Sequence, residues 1–196
     1  MLTRRKFIEA CGSAVAGLVM ADVPGLKGCP VSEAGAGEVV VIQMKSDETG
    51  ANVWFDPIGI YVEPGTTIRW VMSANVHTTT AYHPRNGNHS LRIPDDAVPW
   101  DSGYLVNPGD HFEVSIKREG VYDYFCTPHE MVGMVGRIIV ARPTGPGSLS
   151  FDYYKGRPGT GSWLPVPVPA QNAFPAIETI MRERVVRVSR RSSSPN

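Results

Sequence analysis

Cysteine is scarce in this sequence. The chain of 196 residues contains 3 cysteines, and only Cys126 lies in the region expected to fold. An internal disulfide in that region is therefore excluded, as is an iron–sulfur cluster, which needs several cysteines. A structural zinc site normally uses four Cys or His ligands and is disfavoured for the same reason. A lone thiol stays reactive unless it is buried, bonded to a partner or bound to a metal.

Long apolar runs and the common catalytic motifs are also missing. The mostly apolar stretch 10–21 is too short for a comfortable transmembrane span. No Gly-rich phosphate loop or nucleophile elbow is present, so we predict that the protein is not an enzyme. The chain has 20 glycines and 17 prolines, which favours many turns over a helical bundle.

The sequence has no net charge, but its charges are unevenly placed. Residues 30–142 carry 8 Lys and Arg against 14 Asp and Glu, whereas residues 143–196 carry 7 against 3. The pattern predicts an acidic globule with a basic tail.

The N-terminus has the pattern of an export signal. Arg4, Arg5 and Lys6 precede the apolar stretch, an order that resembles a twin-arginine signal. An ordinary basic and apolar N-terminus is the alternative. The residues LKGC partly resemble a lipoprotein box, in which Cys29 would be a lipid anchor. We predict an export signal over residues 1–29 and a mature protein in the periplasm or on the outer face of the cytoplasmic membrane of a prokaryote.

Short strands are predicted throughout residues 30–142, where β-rich segments are separated by turn signals. These segments are 38–45, 59–72 with a Pro-Gly turn inside it, 111–117, 120–126 and 136–141. Without repeats and with few helical periods, they predict an all-β domain, a Greek-key β-sandwich. The long connection 73–110 is expected to be functional or to contain a short helix.

Residues 143–196 form a Pro/Gly-rich C-terminal extension. Its first part, 143–175, is typical of an extended linker that lies on a globule. The next segment has a helical period, with one face formed by Ile177, Ile180, Met181, Val185 and Val188. This terminal helix would dock on the domain or on a neighbouring subunit, or would bind an anionic membrane or an acidic partner. The last eight residues are predicted to be disordered.

The stretch CTPHEMVGM concentrates metal-binding side chains. Cys126, His129 and Met134 offer a thiolate, an imidazole and a thioether. With a second histidine, this set suits copper that cycles between Cu(I) and Cu(II). A turn after Cys126 and the bend allowed by Gly133 let one loop supply three ligands. His77, which follows the end of another predicted strand, is the best candidate for the fourth.

The order His77, Cys126-x-x-His129-x-x-x-x-Met134 resembles that of type 1 (blue) copper proteins, the cupredoxins. The phrases CTPHEMVGMVG and PIGIYVEPGTTIRWVM are similar to the plastocyanin, pseudoazurin and halocyanin branch, and the resemblance covers about residues 38–142. It implies a cupredoxin-like sandwich with one type 1 copper per chain. His77, Cys126 and His129 would hold the copper in a near-trigonal plane, with Met134 as the long axial ligand.

Two residues depart from the family pattern or complicate it. Thr78 follows His77 where many relatives have an asparagine that ties the two ligand loops together, so an altered bracing hydrogen bond is expected. Met131 is a second thioether, but the spacing favours Met134 as the ligand. Met131 is expected to form apolar surface around His129.

The remaining candidates are Phe125, which precedes the cysteine, and the three histidines outside the proposed site. Phe125 stands where a histidine would connect a type 1 copper to a second, catalytic copper, which argues against a copper nitrite reductase or a multicopper oxidase. His83 and His89 are expected to be polar loop residues; a second metal site or a role in partner docking is the alternative. His111 is expected to face solvent.

The resemblance implies a carrier that passes single electrons from a redox donor to an acceptor outside the cytoplasm. Its electron port would be His129, ringed by Pro128, Met131 and Val132, and acidic groups elsewhere would steer a basic partner into a brief, small interface. A copper carrier or storage protein and a subunit of a copper redox enzyme are the alternatives. No nucleic-acid partner is expected, and a lipid anchor or the basic C-terminal helix would provide membrane tethering.

Overall fold

The computed structural model describes residues 38–188. The predicted export signal, Cys29 and the predicted disordered end lie outside the described residues. Within them the strands are β1 Val39–Ser46, β2 Val53–Asp56, β3 Gly59–Val62, β4 Thr66–Met72, β5 Thr80–Ala81, β6 His111–Ile116, β7 Gly120–Phe125, β8 Val135–Val140 and β9 Val185–Val186. The α-helices are α1 Val168–Ala173 and α2 Ile177–Glu183, and 3₁₀ helices span Thr127–Val132 and Pro146–Ser148. No helix of this part is long and apolar enough to cross a membrane.

The first sheet has the strand order β2-β1-β4-β6. β1 and β4 pair in parallel, and the two outer pairs are antiparallel. Burial alternates along β4, so Ile68, Trp70 and Met72 enter the core while the residues between them are less buried. The segment 59–72 was predicted to form two strands around a Pro-Gly turn, and β3 and β4 confirm that prediction.

The second sheet, β5-β7-β8-β3-β9, is covered on both faces. Every residue of β7 and β8 is buried. One face contributes Tyr122 and Tyr124 to the main core shared with the first sheet. On the other face, Val121 and Phe125 cluster with side chains of the C-terminal extension. An antiparallel pair commonly keeps one face in water, and here the extension takes the place of the water.

The predicted all-β, Greek-key β-sandwich is confirmed, with some differences in detail. The sequence did not predict β2, β5 or β9, which are two to four residues long. The long connection between β4 and β6 contains no helix, since its described residues form turns, isolated bridges and β5. Two bridges in it join His77 to Leu105 and Thr80 to Asp101.

The C-terminal extension docks on the second sheet. α2 buries Ile180 completely against Val121 and Ile139. The helix is shorter than predicted, because Arg184 has a φ of 65° and the next two residues pair with β3 as β9. Val185 therefore belongs to a strand, where the backbone hydrogen bonds at the free edge of β3 replace those of a longer helix.

A buried ionic cluster fastens the extension to the sandwich. Asp123 of β7 is fully buried and accepts hydrogen bonds from Arg92 Nε at 3.0 Å and Arg137 Nε at 2.7 Å. Arg137 Nη2 also donates to Asp123, at 3.0 Å. The other guanidinium nitrogens, both Nη atoms of Arg92 and Nη1 of Arg137, donate to backbone carbonyls of the extension at Gly147, Leu149, Ser150 and Pro175. These carbonyls satisfy donors that would otherwise be buried without partners, so the extension is an integral part of the fold.

Candidate metal centre

Three predicted site residues converge beyond the end of β7. Cys126 Sγ lies 3.6 Å from His77 Nδ1 and 3.4 Å from His129 Nδ1. One potential ligand atom from each residue can be chosen so that all lie within 4.8 Å of one another. In residues 38–188 this is the one cluster of three or more His, Cys, Asp or Glu side chains that could hold a metal. Two nitrogen donors therefore face one sulfur across a space of atomic size.

The loop after β7 is shaped by a 3₁₀ helix, with Pro128 in its first turn. Gly133 ends the helix in the left-handed region, with a φ of 84°, a conformation that glycine adopts at little cost. The Cys126 N–H then donates to the Met134 carbonyl at 3.0 Å, and the Met134 N–H donates to the His129 carbonyl at 3.1 Å. These bonds close the loop and return Met134 beside the strand end, as the spacing predicted.

Met134 is fully buried and belongs to the same apolar cluster as Cys126. Met131, the other thioether of the loop, is 67% exposed. Burial therefore separates the two methionines in the direction that the sequence predicted. Of the two, Met134 is the one placed with the buried thiol.

His77 is fixed by backbone pairing in the long connection. Its N–H donates to the Leu105 carbonyl at 3.2 Å, and the Leu105 N–H donates back at 2.9 Å. The imidazole is fully buried, and its Nε2 has no hydrogen-bond partner among the described residues. Its Nδ1, by contrast, points to the sulfur of Cys126.

Thr78, which stands where the family pattern has an asparagine, joins the two ligand segments. Its hydroxyl accepts the Thr127 N–H at 2.8 Å, and its own N–H donates to Cys126 Sγ at 3.3 Å. The same hydroxyl lies 3.1 Å from that of Thr80. The link between the two segments is therefore kept. The expected change in the bracing hydrogen bond is one of chemical group, a hydroxyl in place of an amide.

Burial keeps all three donors electrically neutral when no metal is bound. Burial, together with the nearby His129, lowers the pKa of His77 to about 4. Burial also lowers the pKa of His129 and raises the pKa of the Cys126 thiol to about 11. Neutral imidazoles have a free lone pair for a metal, whereas the thiol must release its proton on binding.

The donor set fits copper. A thiolate and two imidazoles are the equatorial donors of blue copper sites, often with a weak axial thioether. The two imidazoles fit this set, because each turns its Nδ1 toward the sulfur of Cys126. A four-ligand structural zinc site would need a further Cys or His, and none joins the cluster in the described part of the chain.

Comparison with known proteins identifies the family. Residues 41–141 match the model for copper binding proteins of the plastocyanin/azurin family. The chain belongs to this family. It is thus a cupredoxin, and copper is the metal that its site is built to bind.

Individual relatives agree with this assignment. Chloroplastic plastocyanin from Tetradesmus obliquus is 32% identical over 101 residues, which cover 47% of this cupredoxin and 61% of the relative. Halocyanin from Natronomonas pharaonis is 33% identical over 109 residues, covering 55% and 59%. The chain thus spans about three fifths of the length of these two relatives. A solved Sinorhizobium pseudoazurin has a TM-score of 0.48 at 23% identity, covering 69% of this chain and 90% of that one.

The remaining predicted residues of the cupredoxin take other places. Phe125 is buried in the cluster shared with the extension. His111 is exposed, as expected. His83 Nδ1 accepts the Arg85 N–H at 3.0 Å, and His89 lies against a carboxylate of the ligand loop. Neither histidine belongs to a second metal cluster within residues 38–188.

One charged residue of the ligand loop was not singled out in the sequence. Glu130 follows His129 directly, yet it is buried, and its carboxylate binds Tyr82 and His89. Its partners lie more than forty positions away in the chain, so spacing offered no signal.

Proposed function

We propose that this cupredoxin is a type 1 copper electron carrier that works outside the cytoplasm. The observation that carries the proposal is the convergence of His77 Nδ1, His129 Nδ1 and Cys126 Sγ in a largely buried site. These three side chains would hold the copper, with the Met134 thioether as a fourth ligand. Bound copper would supply a one-electron couple between Cu(I) and Cu(II).

The protein's contribution is a ligand frame that resists rearrangement. Cys126 is held between the end of β7 and the carbonyl of Met134, and His77 is held by paired backbone bonds to Leu105. The N–H of Thr78 donates to the sulfur, which stabilises negative charge there and tunes the potential. Because these hydrogen bonds fix the ligand groups, little movement is needed when the charge at the site changes by one.

His129 is the best candidate for the electron port. It is the one partly exposed member of the three converging side chains. Its neighbours Met131 and Val132 are 67% and 64% exposed, and Pro128 is also exposed. An apolar rim of this kind suits a small, short-lived interface with a redox protein. The acidic surplus of residues 30–142 would attract a basic partner.

Location and domain organisation rest on the sequence pattern. We propose export through the twin-arginine-like segment 1–29, to the periplasm or the outer face of the cytoplasmic membrane of a prokaryote. The copper domain would then be residues 30–142, with residues 143–196 as an extension. The sequence offers Cys29 as a lipid anchor, and the docked position of α2 makes that helix a poor membrane anchor, since Ile180 is already buried.

Copper loading tests the proposal directly. The purified protein without its signal is titrated with Cu(II) and followed by metal analysis, optical absorption and EPR. We expect one copper per chain and an intense visible thiolate-to-copper band, with rapid electron exchange with a small redox protein. A colourless, exchange-labile site would indicate a storage or carrier role instead. More than one copper per chain would favour an enzyme subunit.

The two loop methionines provide a matched test of the assignment of Met134 as a copper ligand. Met134→Leu removes a donor to copper and should weaken Cu(II) binding about tenfold relative to Cu(I) binding. The reduction potential should therefore rise by about 60 mV. Met131→Leu makes the same chemical change at an exposed position and should leave the potential unchanged. Voltammetry of the copper-loaded variants measures both. Equal reduction potentials for the two variants would rule out Met134 as a copper ligand.

A further inference from the structure

Glu130 is unusual because it is a charged side chain of the ligand loop that turns inward. The residue is 9% exposed, although Met131 and Val132 beside it are mostly exposed. Its Oε1 accepts a hydrogen bond from Tyr82 Oη at 2.7 Å, and its Oε2 lies 3.1 Å from His89 Nε2. Both carboxylate oxygens are therefore bound by side chains from the long connection between β4 and β6.

This arrangement favours the charged form of His89. Its Nδ1 lies 2.8 Å from the carbonyl of Asn86, which can only accept, and its Nε2 faces a carboxylate oxygen. Both ring nitrogens are thus donors. Burial by itself would lower the pKa of His89, but the bonds to Glu130 and Asn86 outweigh it, and the pKa is raised. Glu130 and His89 therefore form a largely buried hydrogen-bonded pair beneath the ligand loop.

The C-terminal extension holds this pair from behind. The Ser90 N–H donates to the Leu164 carbonyl at 2.9 Å, and the Leu164 N–H donates to the Asn88 carbonyl at 2.8 Å. These bonds place the segment that carries His89 alongside the extension. The Tyr82 ring lies in a cluster with Phe125 and with Val166 and Ala170 of the extension.

α1 of the extension also lies close against the ligand loop itself. A methyl group added at Gly133 would come within 3.1 Å of the Pro169 carbonyl oxygen and 3.2 Å of the Ala173 Cβ. The loop is therefore supported on two sides. The carboxylate of Glu130 is fixed by Tyr82 and His89, and the turn at Gly133 rests on α1.

We propose that Glu130 is a positioning residue, whose carboxylate, clamped by Tyr82 and His89 against the C-terminal extension, fixes the loop that carries His129 and Met134. The Glu130 carbonyl accepts the Gly133 N–H at 2.9 Å, so the clamped residue also accepts the hydrogen bond that closes the last 3₁₀ turn. The functional meaning rests on the proposed copper role of the loop. The effect of Glu130 on opening of the loop concerns the chain alone and is measurable without metal.

The test begins with the metal-free protein. Hydrogen exchange of the Gly133 and Met134 amides, which bond within the loop, reports local opening; that of Ile68 in β4 reports global unfolding. In Glu130→Ala, loss of two charge-assisted bonds should speed exchange at the two loop amides about tenfold or more and leave Ile68 nearly unchanged. Glu130→Gln keeps two hydrogen-bonding groups and should fall between Glu130→Ala and the wild type.

Two further variants keep the test decisive. Tyr82→Phe removes one hydroxyl and keeps the ring, so it answers the question if Glu130→Ala does not fold. Its loop amides should also exchange several-fold faster, since it loses one bond to a charged group. Glu48→Gln makes the Glu130→Gln change at an exposed residue and should match the wild type.

The copper-loaded proteins supply the functional readout. We expect Glu130→Ala to shift the reduction potential and the EPR copper hyperfine splitting, and Glu130→Gln to restore part of both shifts. The proposal is overturned if loop exchange stays at the wild-type rate in both Glu130→Ala and Tyr82→Phe, or if loop and Ile68 amides accelerate together. An unchanged potential with faster loop exchange would overturn the functional part. A wild type without the visible band would instead overturn the copper role and leave the exchange result standing.

Discussion

Cys126→Ser is expected to abolish the intense visible band of the copper-loaded protein. The sulfur is the single thiolate donor within residues 38–188, and a serine hydroxyl is a hard ligand that stays protonated near neutral pH. Optical and EPR spectra after addition of Cu(II) to wild type and variant measure the effect. We expect the variant to bind copper weakly, with the spectrum of an ordinary Cu(II) site.

The metal-free variant provides the control for Cys126→Ser. Serine has nearly the size of cysteine, and its hydroxyl would find partners in the Thr78 N–H and the imidazoles of His77 and His129. Its urea midpoint and circular dichroism should therefore stay close to those of the wild type. A folded variant that keeps the intense band would show that another group supplies the charge transfer, and the ligand assignment would be wrong.

Asp123→Ala is expected to lower the free energy of unfolding by about 3–5 kcal/mol, the usual result of removing one partner from a buried ion pair. Asp123 is fully buried, and Arg92 and Arg137 are 1% and 8% exposed at their side chains. Without the carboxylate, two guanidinium charges face each other in the interior, and the extension that binds them loses its fixed anchor. Urea unfolding of the metal-free protein measures the change.

The surface pair of Asp96 and Arg118 is a matched control. Its atoms lie 2.9 Å apart, but the side chains are 59% and 64% exposed. Asp96→Ala should therefore cost no more than about 1 kcal/mol. If Asp123→Ala and Asp96→Ala shifted the unfolding free energy equally, the buried cluster would have no special part in stability.

The sequence predicted well those features that depend on local pattern. A β-rich segment with a Pro-Gly turn inside it predicted β3 and β4, and nine consecutive residues predicted a loop that could return Met134 beside Cys126. His77 was chosen because it follows the end of a predicted strand, and the structure brings its Nδ1 to the sulfur. In each case the decisive information lies within a few residues of the side chain concerned.

Features that depend on partners far along the chain were not predicted. Asp123 is an acidic residue among aromatic ones in β7, a visible oddity, but its arginines lie 31 positions before it and 14 after it. The helix ending at Glu183 had a continuing helical period, and the free edge of β3 ended it instead. The burial of Glu130 was not predicted, because its partners Tyr82 and His89 lie in a segment of no regular pattern.

The pairing of β9 with β3 also has a consequence for the order of events in the cell. Val185 and Val186 complete the sheet through bonds to residues 58–61, about 125 positions earlier. Until the ribosome has released this late segment, β3 has unpaired backbone groups at an open edge, which invites association with other chains. The second sheet therefore cannot be completed until residues 184–186 have left the ribosome, and a nascent chain held by a chaperone until that moment would be protected at this open edge.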